Sequence, residues 1–373
     1  MNSVHDYEEL FLKNNSIRLE KILSSKANKC YFLLHPKLRK LYRIFIKSND
    51  LSEKNKILTG LLNSYEESFL WRVNARRKST IEDIKKKHGY GRGRIRIDNG
   101  DPNVRDYYSV ALIVKNEARY IREYILFYKA TGADRIYLYD NDSTDNLMEE
   151  IEPFVKSGFV VYQKWPGQVV QCAAYRDVIR KTRHRTKWLA LVDADEFLFS
   201  PKGDMKPQLK AFESYPGVCV NWRMFGPSGH DARPEGLIMD NYTTTIADED
   251  NLLNRHVKSI VQPAKVFTMF HPHFAIYKCR EYAVDEKLNV IDNSNAFYPN
   301  NSRAFTSHNH SDIFRINHYY TKSLQDLREK CSRGYPDGQP NRDYDDALQK
   351  FECPLKEDTS IRIFADKVRK DYY

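Results

Sequence analysis

Trp188-Leu189-Ala190-Leu191-Val192-Asp193-Ala194-Asp195-Glu196-Phe197 is an apolar run that ends abruptly in an Asp-x-Asp pair. A short apolar segment bounded by charge reads as a buried strand of a parallel sheet, and such sheets bind ligands outside the carboxyl ends of their strands. Asp193 and Asp195 therefore stand where a ligand arrives. Two carboxylates one residue apart can share one hard divalent cation, Mg2+ or Mn2+, and a cation held this way also holds a substrate diphosphate. That combination suits a nucleotide sugar. Acidic pairs also occur in solvated loops, so the surroundings of the pair decide its meaning.

Working outward from this strand, the chain alternates. Tyr108 to Val114 predicts a strand, Glu117 to Ala130 a helix with apolar residues at 121, 124, 125 and 128, and Gly132 stands at a helix cap. Arg135 to Tyr139 predicts the next strand, followed by Asp140-Asn141-Asp142-Ser143-Thr144-Asp145 and a helix carrying Leu147, Ile151 and Val155. Phe159 to Tyr162, a helix near 168–182 and the strand 188–192 complete a βαβαβαβ run. The implied fold is α/β, a doubly wound, mostly parallel, Rossmann-like sheet. Beyond residue 200 the pattern loosens, with β-like runs at 217–224 and 264–278 and a helix at 322–332.

In this topology the ends of the first two strands share an edge with Asp193 and Asp195. Glu117, in Lys115-Asn116-Glu117, and Asp140 are then placed to accept hydrogen bonds from a uracil imide or from ribose hydroxyls. Asp142, Ser143 and Thr144 also have the residue types of a helix N-cap. An EF-hand reading of Asp140 to Ile151 fails, because position six is Asp145 instead of glycine and position twelve is Ile151.

The 373 residues allow one large domain with an appendage, or two domains. A hydrophobic content of 41% with 13% aromatics predicts a packed core, not disorder. Residues 1–100 hold 22 Lys and Arg against 11 Asp and Glu, and the remainder holds 38 against 39. The net charge of +10 thus resides in the N-terminal part. This argues against a basic catalytic groove for nucleic acid, and for an N-terminal part that meets an anionic surface or a partner, or forms a lysine-rich helical cap. Leu34, Leu38, Leu41 and Phe45 recur at helical spacing among basic residues, so the stretch 30–48 either packs on a neighbouring domain or lies on an anionic membrane surface. Lys85 to Arg94, basic and glycine-rich, reads as a linker and carries no phosphate-loop fingerprint. Three regions are expected: a basic, mainly helical 1–100, a catalytic 101–340, and a helical tail 341–373.

The six cysteines have no Cys-x-x-Cys spacing and signal neither a zinc site nor a disulfide framework. The start of the sequence lacks a secretory pattern and no segment has the ~18 uninterrupted apolar residues that cross a bilayer, which points to a cytoplasmic protein, peripheral on the inner face of a membrane if residues 30–48 bind there.

Six blocks resemble glycosyltransferase family 92 and its bacterial relatives, allied to family 2. They are Lys115-Asn116-Glu117, Tyr139 to Asp145, Trp188 to Phe197, Asn221 to His230, Arg255 to Val261, and Asn317 to Ser323 ahead of Lys330 and Arg333. The resemblance covers residues 107–335. It implies a GT-A fold, a divalent metal, a UDP-sugar donor with a galactose-like hexose, a glycan or surface-polysaccharide acceptor, and inversion at the anomeric carbon. It further implies Asp195 as the direct metal ligand, Asp193 on the ribose or on the metal through water, and Asn116, Glu117 and Asp140 around the nucleoside. Arg176 matches an arginine that faces the donor diphosphate in the family 2 relatives. His318 is a candidate third metal ligand, since imidazole suits Mn2+, and Lys322 and Arg333 are candidate clamps on the leaving diphosphate. Inversion needs a general base, for which Asp231 and Glu196 are the candidates. Two other readings stand beside this one: a nucleotidyltransferase, which would want a phosphate loop after the first strand, and a basic membrane- or nucleic-acid-binding module.

Overall fold

The computed structural model describes Lys54 and residues 104–167, 170–278, 281–291, 304–333 and 343–373. The chain divides into a unit of residues 97–296 with 301–373 and another of residues 1–96 with 297–300. The helical stripe at 34–45, the contact stretch 30–48 and the linker 85–94 lie outside the described residues.

The predicted alternation is present. Strand β1 (Asp106–Val114), helix α1 (Ala118–Ala130), β2 (Arg135–Asp140), α2 (Leu147–Lys156), β3 (Val160–Lys164), α3 (Gln171–Thr182) and β4 (Thr186–Leu191) follow in order. Strand β1 pairs parallel with β2 and β4, and β2 pairs parallel with β3. Val114 lies opposite Asp140 and Ala111 opposite Leu191, so the three chain segments that leave β1, β2 and β4 emerge at one edge.

Alternation along β1 explains why helices cover both faces. Tyr108, Val110, Leu112 and Val114 point into a core shared with Ile121, Tyr124, Ile125 and Tyr128 of α1. Ala111 points into a second core with Tyr137, Tyr139 and the α3 residues Ala174, Tyr175 and Val178. A strand buried on both sides must be apolar at every position, which is why this sheet reads as continuous hydrophobic runs. Gly132 follows the end of α1 with a φ of 91°, the left-handed conformation that favours glycine after a helix.

The second half departs from the parallel pattern. After β5 (Glu196–Phe199), α4 (Met205–Lys210), β6 (Gly217–Met224), α5 (Ile238–Asn241) and β7 (Thr244–Ile246) comes β8 (Val257–Val261), which inserts antiparallel between β4 and β6. The run at 264–278 forms a hairpin of β9 (Val266–His271) and β10 (Phe274–Tyr277). Short strands β11 (Ala283–Val284) and β12 (Val290–Ile291) extend the sheet beyond β6. Then β13 (Arg315–His318) pairs parallel with β6 and antiparallel with β5, and α6 (Leu324–Arg333) follows. The fold class is α/β with a mostly parallel central sheet.

Residues 343–373 supply α7 (Tyr344–Gln349), β14 (Leu355–Glu357) and α8 (Ala365–Tyr372). β14 pairs with β7, and Phe364 stacks edge-on against Phe127 of α1 and Phe199 of β5. Phe127, Phe197, Phe199 and Tyr319 are fully buried, and each such ring contributes roughly 1.5–3 kcal/mol of transfer free energy.

Candidate active site

The loops after β1 and β2 are welded together by their own polar residues. Asn116, at a φ of 56°, donates its backbone N–H to Ser143 Oγ at 3.0 Å and accepts from Thr144 N at 2.8 Å. Asp145 accepts from Ala118 N at 2.8 Å, supplying the N-terminus of α1 with the acceptor that Glu117 itself does not provide. The expectation of an N-cap at Asp142–Thr144 is therefore corrected: α2 starts only at Leu147, with Asn146 before it, and the acidic loop serves the neighbouring helix. Asp140 is buried and spends both oxygens internally, one on Ser143 N at 2.9 Å and one on Tyr162 Oη at 2.8 Å.

This welded loop forms one wall of a cavity of about 350 Å3. Asn116, Glu117 and Tyr120 face Lys322, Asp326 and Lys330 across it. Glu117 Oε2 lies 3.6 Å from Lys322 Nζ, and that ammonium also sits 4.6 Å from the centre of the Tyr120 ring. Lys322 takes a φ of 50°, in the turn between β13 and α6. Asp326 fixes the turn by accepting from Ser323 Oγ, Tyr120 Oη and Arg233 Nε. Those donors hold its carboxyl below the usual carboxylate range against the opposing effect of burial.

The two acids of the Asp-x-Asp pair each meet their own cation, and the one that pairs with Asp195, Lys330, lines the cavity. Asp193 Oδ1 accepts from Gln171 Nε2 at 2.7 Å and Tyr175 Oη at 3.0 Å, while Oδ2 accepts from Lys258 Nζ at 2.7 Å. Asp195 Oδ2 accepts from Lys330 Nζ at 2.5 Å and stands 3.5 Å from His318 Nε2. Burial opposes ionisation of Asp195, yet Lys330 and His318 hold its pKa well below the ordinary carboxylate value. Burial lowers that of His318. An ionised carboxylate and a neutral imidazole are the protonation states that metal ligands need. His318 Nδ1 is buried without a hydrogen-bond partner.

The predicted residues separate into those brought together and those kept apart. Asn116, Glu117 and Lys322 line the cavity, and Asp195 and His318 meet beside it through Lys330. Two placements, those of Glu196 and Arg176, differ from the sequence reading. Glu196, a candidate base or acceptor contact, is fully buried: it accepts from Asp193 N at 2.9 Å, lies 3.6 Å from Lys258 Nζ, and burial raises its pKa well above normal. A carboxylate with no exposed surface cannot receive a proton from an acceptor hydroxyl. Arg176 is exposed and donates to the Met269 carbonyl at 2.7 Å, because α3 turns that position toward β9 and away from the acids. Asp231 is exposed in the loop before α5, its carbonyl accepting from Gln325 N. Arg333 closes α6, and its side chain is outside the described residues.

Sequence reasoning missed the roles of Lys258, Lys330, Gln171 and Tyr175. Lys258 alone carried a signal, as a charge inside the apolar strand Val257–Val261. Among the described residues no group of three or more His, Cys, Asp or Glu side chains could hold a metal, since Asp193 is turned to Lys258 and away from Asp195. The available pair, Asp195 and His318, nevertheless fits a divalent transition metal in donor type and protonation.

Open α/β sheets bind ligands in the crevice outside the carboxyl ends of their strands, and the carboxylate–imidazole pair and the lysine-lined cavity mark this site as that of an enzyme. Residues 108–333 match the glycosyltransferase family 92 model, and the chain belongs to that family. A family 92 glycosyltransferase of rice, Oryza sativa subsp. japonica, is 30% identical over 159 residues, 41% of this chain and 26% of the relative. One from Ricinus communis is 28% identical over 160 residues, 41% of this chain and 28% of the relative. The chain thus spans about a quarter of the length of these relatives. Among solved structures, TarS of S. aureus bound to UDP is 13% identical with a TM-score of 0.30, over 42% of this chain and 47% of that one. No helix among the described residues is long and apolar enough to cross a membrane.

Proposed function

We propose that this protein transfers a hexose, galactose-like, from a UDP-sugar to a hydroxyl of a glycan or surface polysaccharide, with inversion and with Mn2+ or Mg2+. The observation that carries the reading is the Asp195–His318 pair beside a cavity walled by Glu117 and Lys322. Asp195 and His318 would hold the cation, which when bound supplies positive charge to the departing diphosphate. Glu117 and Asn116 accept from and orient the nucleoside, and Asp140 keeps the loop that carries them in place. Lys322, in the turn before α6, donates to the diphosphate, with Arg333 at the end of that helix as a second cation. Asp193, one-third exposed at its side chain and locked by Lys258, orients the ribose. Asp231, the exposed carboxylate of the loop that touches α6, takes the proton of the acceptor hydroxyl.

The division into residues 1–100, 101–340 and 341–373 belongs to the same proposal, with the basic stretch 30–48 meeting an anionic membrane surface from the cytoplasmic side. The test is release of UDP from a panel of UDP-sugars, with and without EDTA, by wild type and Asp195→Ala. Release from one sugar, abolished by chelation and by the substitution, is the expected result. Absence of release from every UDP-sugar in the presence of acceptor glycans would sink the reading.

A further inference from the structure

Asp193 is partly exposed, yet its carboxylate is held by three donors from two elements. Gln171 and Tyr175, one helical turn apart on α3, both donate to Oδ1, at 2.7 and 3.0 Å, and Lys258 of β8 donates to Oδ2 at 2.7 Å. The backbone is closed as well, since Asp193 N donates to Glu196 Oε2 at 2.9 Å and the Asp193 carbonyl accepts from Glu196 N at 3.1 Å. The carboxylate cannot turn without breaking one of these bonds. Lys258 and Tyr175 are each 1% exposed, whereas the Asp193 side chain is 35% exposed. What Asp193 shows to solvent is therefore the part that its donors leave uncovered. A carboxylate has about four acceptor positions. Here both on Oδ1 and one on Oδ2 are filled.

We propose that Lys258, Gln171 and Tyr175 leave Asp193 a single acceptor position, and that this position makes the site take a ribonucleoside diphosphate and reject its deoxy counterpart. It rests on the donor-site reading given above, in which Asp193 orients the ribose. With Oδ1 filled, only the second acceptor position of Oδ2 is left for a ligand hydroxyl. A carboxylate free to swing would follow whichever hydroxyl or water lay nearby, and would discriminate little. A fixed one loses its partner when the hydroxyl is missing, and a site built around a hydrogen bond to a substrate hydroxyl rejects the analogue that lacks it. Lys258 is thus a positioning residue. Its ammonium, buried beside Asp193 at 2.7 Å and Glu196 at 3.6 Å, fixes the oxygen of Asp193 that keeps an open position, while Gln171 and Tyr175 fill the other.

The experiment is calorimetric titration of UDP, 2′-deoxy-UDP and 3′-deoxy-UDP into the full chain with Mn2+ present, for wild type, Lys258→Met, Tyr175→Phe and Gly217→Ala. Gly217, which abuts Tyr277 at the start of β6, controls for lost stability alone. Wild type is expected to bind at least one of the deoxy analogues about tenfold or more weakly than UDP, the effect of one hydrogen bond to a charged group. In Lys258→Met that ratio should shrink to about threefold or less, and Tyr175→Phe should reduce it by a smaller factor. Gly217→Ala should keep the wild-type ratio, because a general loss of stability weakens UDP and its analogues alike. If Lys258→Met does not fold, Tyr175→Phe decides, an undiminished ratio counting against the proposal. A wild type that binds all three nucleotides equally, a ratio that survives in Lys258→Met, or a ratio lost equally in Gly217→Ala overturns the role of Lys258 and leaves the donor-site reading intact. If none of the proteins binds UDP, the donor-site reading is overturned and the role of Lys258 falls with it.

Discussion

Nε2 of His318 faces Oδ2 of Asp195 at 3.5 Å across the seam where β13 pairs with β5, and the backbone holds them there. Tyr319 N donates to the Asp195 carbonyl at 2.8 Å, so the end of β13 is tied to the Asp-x-Asp turn. If this pair holds the cation, His318→Ala and Asp195→Ala should each lower kcat for sugar transfer by about 10²–10³-fold, the size of effect expected when one preorganised electrostatic contact is lost. Steady-state UDP release measures it, with thermal melting to verify that each variant folds. Near-normal turnover in His318→Ala would remove the imidazole from the site.

Glu117 and Lys322 close the cavity by an ion pair at 3.6 Å. A charge-assisted hydrogen bond to a ligand is worth about 1.5–3 kcal/mol, so Lys322→Met should weaken UDP binding by roughly 10- to 100-fold. Isothermal titration with UDP reads this directly. An unchanged Kd would mean that the diphosphate lies elsewhere.

Lys258 is 1% exposed at its side chain and balances Asp193 at 2.7 Å and fully buried Glu196 at 3.6 Å. Removing one partner of a buried ionic cluster usually costs several kcal/mol, because the remaining charge is left uncompensated. Here Glu196 can take up a proton and Asp193 reaches solvent, so Lys258→Met should destabilise by about 3 kcal/mol, at the low end of that range. Urea denaturation measures it. A loss below about 1 kcal/mol would show that the lysine is dispensable for folding.

The pH dependence follows from buried imidazoles. His256 stacks on Trp222 with ring centroids 4.8 Å apart, and burial lowers its pKa from 6.5 to about 4. Burial together with the nearby Lys258 charge takes His273 well below its ordinary value. Between pH 6.5 and about 4 the unfolded chain binds protons at these positions that the native state refuses. Their neutral burial is therefore free of penalty above pH 6.5, and stability falls as pH drops through this window. Melting temperatures at a series of pH values should decline across it, and His256→Phe should flatten the decline. An identical slope in that variant would contradict the assignment.

Gly217 begins β6 against the Tyr277 hydroxyl, which lies only 2.0 Å from where a Cβ would stand. Tyr277 is buried and cannot swing aside without opening the second core. Gly217→Ala should therefore destabilise by about 1–3 kcal/mol, the range of overpacking defects, and Tyr277→Phe combined with it should recover part of the loss. Chemical denaturation of the single and double variants checks both.

The legible part of this protein is the part governed by neighbours in sequence. Every predicted element of the βαβαβαβ run is found within a few residues of its expected place, because a strand buried on both faces must be apolar throughout and each helix must show a stripe. The parallel order then sends the ends of β1, β2 and β4 to one edge, so Glu117, Asp140, Asp193 and Asp195 were identifiable as a group from pattern alone. The types of their partners were not identifiable. Glu196 is adjacent to Asp195 in sequence, yet the turn after β4 sends it inward to Lys258 while its neighbour meets Lys330 of the cavity wall. Arg176 stands on the right helix but on the face that α3 presents to β9.

The sequence by itself determined the α/β class, the edge of the sheet where the acids gather and the family to which the chain belongs, since all three depend on local periodicity and short blocks in order. Only the tertiary structure decided which cation meets which acid. Lys330 reaches Asp195 across 135 residues and Lys258 reaches Asp193 across 65. No local preference encodes such pairings. They arise because β8 inserts antiparallel beside β4 and β13 docks against β5, carrying a lysine from one and the following helix from the other to carboxylates whose burial makes an opposite charge necessary.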